Sequence, residues 1–93
     1  MDAKAEIRMM ARMTALEHAV VVLLSQEVFR SAKEAEQPAE LHARHLAGGL
    51  ISTAVEGHYP EGFREPLLVA LRELGEAVIA NGKTFDELGQ PDN

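Results

Sequence analysis

The stretch that decides the fold is residues 2–36, DAKAEIRMMARMTALEHAVVVLLSQEVFRSAKEAE. It contains neither glycine nor proline, so no residue inside it interrupts a helix. At a rise of about 1.5 Å per residue, a single helix over this stretch would be roughly 50 Å long. The sequence therefore predicts one N-terminal helix that is longer than any later element.

Two shorter helices are predicted to follow. A residue before proline is pushed out of the helical region and proline suits the first helical turn, so Pro38 closes the first helix and opens a second over 38–57. Pro66 marks the first turn of a third helix over 65–81, and we expect this helix to stop before Gly82. Each of the two would be about 25 to 30 Å long, too short to cover the first helix alone.

The second helix carries two adjacent glycines, Gly48 and Gly49, near its middle. Each costs about 0.5–1 kcal/mol relative to alanine inside a helix. Either a neighbouring backbone approaches closely at this point, or the helix is broken at 48–49. The sequence leaves both alternatives open.

The sequence predicts one small helical domain spanning 1–93. It is expected to end in a short capped turn over 84–88 and a frayed tail over 90–93. At this size a single core gives only marginal stability, and oligomerisation is a common remedy. The absence of cysteine excludes disulfides, thiolate nucleophiles and sulfur-based zinc sites. The lack of cysteine is compatible with the cytoplasmic location that we expect. The longest apolar run, 19–24, is far too short to span a bilayer, so we expect no membrane partner.

The first helix has an unusually wide apolar surface. On a helical wheel its apolar side chains cover about two thirds of the circumference, more than one neighbouring helix can bury. We therefore expect a homodimer in which the long helices pair, in an antiparallel arrangement that lets the short helices of each chain cover opposite ends. The residues predicted to be buried between the chains are Met13, Leu16, Val20, Leu23 and Leu24.

All basic residues of the first helix share one narrow arc of the wheel. Such a stripe is the electrostatic footprint of nucleic-acid binding, but it is also typical of a solvated face or of salt bridges. The whole chain has nine basic and fifteen acidic residues, a net charge of −6, which argues against nucleic acid as a partner. The stripe consists of Lys4, Arg8, Arg12, Arg30 and Lys33.

A pair of histidines offers a second function. His42 and His45 lie three residues apart on one helical face, the spacing at which a helix presents two ligands to one metal ion. No third ligand stands at a recognised spacing, so two histidines on a solvated or interfacial face are the simpler interpretation. We expect no cofactor and no catalytic residue, since no nucleophile–base motif is present.

These observations predict an all-α fold in which a long N-terminal helix and two shorter helices folding back on it form a bundle completed by dimerisation. The function we expect is protein–protein interaction by a non-enzymatic regulator or adaptor that binds itself and another protein. A metal- or ligand-binding bundle built on His42 and His45 is the alternative. Nucleic-acid binding through the basic stripe is the weaker third.

Overall fold

The fold consists of three helices in the computed structural model, which describes residues 2–89. Helix α1 spans Ala3–Ala35, α2 spans Ala39–Glu56 and α3 spans Arg64–Leu88. No strand occurs within the described part of the chain. The predicted all-α class is confirmed. The predicted frayed tail over 90–93 lies outside the described residues.

Local signals at both ends fix the length of α1. Asp2 is the N-cap, and its carboxylate accepts a hydrogen bond of 2.7 Å from the backbone N–H of Ala5. At the other end Glu36 adopts the left-handed conformation, and the backbone N–H of Gln37 donates to the carbonyl of Ala32. This closure satisfies carbonyls that the helix leaves free at its end. The long helix thus stops next to Pro38.

Helix α2 is continuous through Gly48 and Gly49. A Cβ built at either glycine would meet no atom of the described residues within 4 Å, apart from its own helix and chain neighbours. Neither alternative expected from the sequence therefore holds within this chain. The glycines neither break the helix nor admit a neighbouring backbone.

Helix α3 extends seven residues beyond the predicted end at Asn81. Gly82 does not terminate the helix but is buried inside it, where a Cβ would lie 3.1 Å from the backbone carbonyl of Ala39. Gly82 therefore allows a close contact between two helices and does not end α3. The separate turn predicted over 84–88 forms the last turns of α3 instead.

Helices α2 and α3 pack as a close antiparallel pair. Gly82 lies against Ala39, and Gly75 lies against Ala47, where an added Cβ would be 2.8 Å from the alanine Cβ. Small residues at these contacts allow the two backbones to approach. The core that results is narrow, and its buried apolar residues are mostly alanine. They are Val28, Ala32, Ala39, Ala43, Ala54 and Val78.

Helix α1 runs parallel to α3. The side-chain amide of Asn81 donates a 3.0 Å hydrogen bond to the buried hydroxyl of Ser25, and the rings of Phe29 and Phe85 stack with centroids 4.4 Å apart. Both pairs are separated by 56 residues, so the two helices share one register over this turn. The C-terminal half of α1 is held to the hairpin by these contacts.

A carboxylate from α3 caps α2. Pro38 occupies the N-cap position of α2 and provides no side-chain hydrogen bond. Asp86 accepts instead from the backbone N–H groups of Ala39, at 2.7 Å, and Glu40, at 3.0 Å. This long-range cap joins the beginning of α2 to the end of α3 and complements the helix dipole.

We expect Gly75→Ala and Gly82→Ala to lower the free energy of unfolding. Overpacking costs about 1–3 kcal/mol, which exceeds the gain of about 0.5–1 kcal/mol from alanine in a helix. Gly48→Ala is the matched control, because its methyl group enters open space and should stabilise the chain. Urea denaturation followed by circular dichroism measures all three. Equal effects at the three positions would contradict the close α2–α3 contact.

We expect Asp86→Ala to reduce the free energy of unfolding by about 1–2 kcal/mol, since two N–H groups of α2 lose their acceptor. Glu87→Ala removes a neighbouring exposed carboxylate of the same helix and should change stability by less than about 0.5 kcal/mol. Thermal unfolding of both variants is the measurement. A similar loss in the two would show that charge and not capping is responsible.

Candidate interaction surface

The N-terminal half of α1 is covered only in small part by its own chain. None of residues 3–20 is buried in the described structure, although this segment contains several large apolar side chains. The molecule is consequently elongated, with a radius of gyration of 16.1 Å, whereas a compact chain of this length has about 12 Å. A long apolar helix exposed in this way is typical of an interaction surface.

Five exposed apolar residues form one continuous line along α1, which we call the α1 stripe. Their spacing is four, three, four and three residues, the heptad spacing of a coiled-coil seam. In this heptad, position a holds Met13 and Val20, and position d holds the other three. The exposed fractions are 52% for Met9, 56% for Met13, 66% for Leu16, 41% for Val20 and 64% for Leu23.

Charged residues take over the same heptad positions beyond Leu23. Arg30 forms ion pairs with Glu27 and with Glu34, the second at 2.9 Å, and all three side chains are about half exposed or more. The hydrogen bond from Arg30 lowers the pKa of Glu27 below its ordinary value. Charged side chains thus occupy the three heptad positions that follow, and the apolar part of the seam ends at Leu23.

A different face of α1 packs against its own chain. Val28 and Ala32 are buried there, and Leu24 is half-buried against them. Leu24 was predicted to lie between two chains together with Leu23, but one residue along a helix turns the side chain by about 100°. Leu24 therefore belongs to the intramolecular core, whereas Leu23 lies on the α1 stripe.

The exposed surface is large for a protein of this mass. The chain has 7275 Å² of accessible surface, about 2,000 Å² more than a typical monomer of 10.2 kDa. A standard protein–protein interface covers about 800 Å² on each partner. The excess is thus sufficient for an interface with another chain.

An open cleft between α2 and α3 shows the same incomplete coverage. It has a volume of about 560 Å³ and is lined mainly by apolar side chains of the two helices. No α1 residue lines it. Apolar surface is therefore exposed in this cleft as well as on the N-terminal half of α1. The leucines that line the cleft are Leu46, Leu50, Leu67 and Leu71.

The predicted basic stripe is divided in the structure. Arg30 is neutralised by Glu27 and Glu34, which raise its pKa above the ordinary value. Arg8 and Arg12 form no ion pair with any described residue, and both are exposed. The free positive charge of α1 is therefore concentrated toward its N-terminal end. Lys4 and Lys33 are likewise exposed and unpaired among residues 2–89.

The two histidines lie on α2 as the sequence suggests, but no ligand set gathers around them. The His42 Nε2 atom is 2.9 Å from the side-chain oxygen of Gln37, and His45 is exposed. Among residues 2–89, no group of three or more His, Cys, Asp or Glu side chains is arranged to hold a metal ion. The structure therefore adds no third ligand to the pair.

No known family, curated protein or solved structure matches the chain. None of the helices described here combines the length and the apolar character needed to cross a membrane.

Sequence reasoning missed one member of the α1 stripe. Met9 completes the heptad spacing at the N-terminal end, and it is as exposed as Met13. Its signal was present in the sequence as a regular alternation of three and four residues. Ile7 and Met10 are also exposed, on the face that continues the intramolecular core beyond the reach of the hairpin.

Proposed function

We propose that this protein is a homodimeric interaction protein whose two chains associate through the α1 stripe. The observation that carries the proposal is the uninterrupted line of exposed apolar side chains from Met9 to Leu23. Exposed lines of this kind associate because water is excluded from both copies at once. The excess of accessible surface is more than one interface of standard size requires.

The dimer acts, in this proposal, as a regulator or adaptor and not as an enzyme. Residues 37–93 contribute nine acidic and four basic side chains, so the bodies of the dimer are acidic. Such bodies would attract a basic protein partner by long-range electrostatics. The cytoplasmic location inferred from the sequence remains a prediction.

We expect the double substitution Leu16→Glu and Leu23→Glu to convert the dimer to a monomer. Both side chains are about two-thirds exposed in the single chain, so the monomer should keep its helices while four charges oppose association. Light scattering coupled to size exclusion gives the mass, which should fall from about twice to once 10.2 kDa. Circular dichroism verifies folding.

The control is Val55→Glu with Val69→Glu. These valines are half exposed on α2 and α3 and lie outside the α1 stripe. The control should remain a dimer. If the stripe variant is folded and still dimeric, or if the control dissociates equally, the α1 stripe is not the interface.

A further inference from the structure

We propose that the two chains pair in parallel and in register, so that Arg12 of each chain forms an ion pair with Glu17 of the other. The occupant of the α1 stripe is therefore a second copy of this chain in one defined orientation. This inference rests on the proposed homodimer and names the orientation of its interface.

The residues of the seam suit a two-stranded pair when the helices run parallel. Val20, a β-branched residue, is at position a, while Leu16 and Leu23 are at position d. In parallel coiled coils this combination favours two strands, because each side chain fits the space between four residues of the facing helix. The methionines at the N-terminal end of the seam adapt readily to the same packing.

The charges beside the seam are complementary only in the parallel orientation. Arg12 occupies position g and Glu17 the following position e, which face each other across a parallel pair. Both side chains are exposed, and neither forms an ion pair within the described chain. A parallel dimer therefore gains two identical ion pairs.

An antiparallel pair lacks this complementarity. Position g then faces position g and position e faces position e, so Arg12 would meet no acidic residue. The other g positions in and next to the seam are Ala5, Ala19 and Gln26. The antiparallel arrangement expected from the sequence, which rested on coverage of the helix ends, is thus disfavoured by charge.

The charged end of the seam limits the paired segment. In register, the two Glu27 side chains at position a approach each other, and each is already held by Arg30 of its own helix. Like charges at this point separate the helices after Leu23. The α2–α3 hairpin packs on a different face of α1, at the level of Val28 and Ala32, so it does not occupy the seam positions.

The first test is a charge exchange. Arg12→Glu and Glu17→Arg should each weaken self-association by about tenfold or more, because two attractive pairs become repulsive. An equimolar mixture of the two variants should recover wild-type association, since one heterodimer contains only opposite charges at these positions. Arg8→Glu, with the same charge change outside the e and g positions, is the control. Fluorescence anisotropy of labelled chain against unlabelled chain measures each affinity.

The second test uses disulfide formation, which is clean because the chain has no cysteine. Leu23→Cys should form a disulfide between two copies in a parallel dimer. In either antiparallel register that aligns the seam, the two residues would be about 15 Å or more apart, beyond disulfide reach. Non-reducing electrophoresis after mild oxidation measures the product.

Two mixtures report the opposite orientation, one for each antiparallel register: Met9→Cys chains with Val20→Cys chains, and Met13→Cys chains with Leu23→Cys chains. The parallel pairing would be overturned by a mixed disulfide in the absence of the Leu23→Cys homodisulfide. Charge variants that all associate like the wild type would overturn it as well. In both cases the homodimer itself would stand. A wild-type chain that is monomeric by light scattering would overturn the homodimer itself. The two failures are therefore distinguishable.

Discussion

The close contact of α2 and α3 at Gly75 and Gly82 determines how much of the chain can be buried. Because alanines face these glycines, the two backbones approach and the hairpin becomes narrow. A narrow hairpin buries small side chains, and Val78 is the largest that is fully enclosed. The core that remains for α1 is therefore thin, which limits the stability that a single chain can reach.

Because α1 is long, its N-terminal half extends beyond this thin core and leaves an exposed apolar surface. Its C-terminal half is held in register with α3 by the Ser25–Asn81 and Phe29–Phe85 contacts, whereas residues 3–20 have no buried side chain. Apolar residues recur along this largely uncovered half at heptad spacing until the ion pairs around Arg30 replace them. Pairing of two such helices would complete the core that one chain lacks, and the flanking charges would give the pair its direction.

The sequence predicts where each helix begins and ends better than it predicts which residues of other helices pack against it. The extent of α1 and the beginning of α2 follow from Pro38 and from the lack of glycine before it, which are local signals. Gly82 was misinterpreted as a helix stop because its role depends on Ala39, a residue of another helix. Local sequence also could not separate Leu23 from Leu24. Both are leucines in one wide apolar arc, and only the position of the hairpin decides which of them is covered.

The central claim is that α1 is completed by a second copy of the chain. The most direct test is the mass of the wild-type protein by light scattering coupled to size exclusion, measured over a dilution series. We predict a mass near twice 10.2 kDa that falls only at low concentration, as expected for a dimer in equilibrium with its monomer. A mass of 10.2 kDa at every concentration, with full helical content, would contradict the claim.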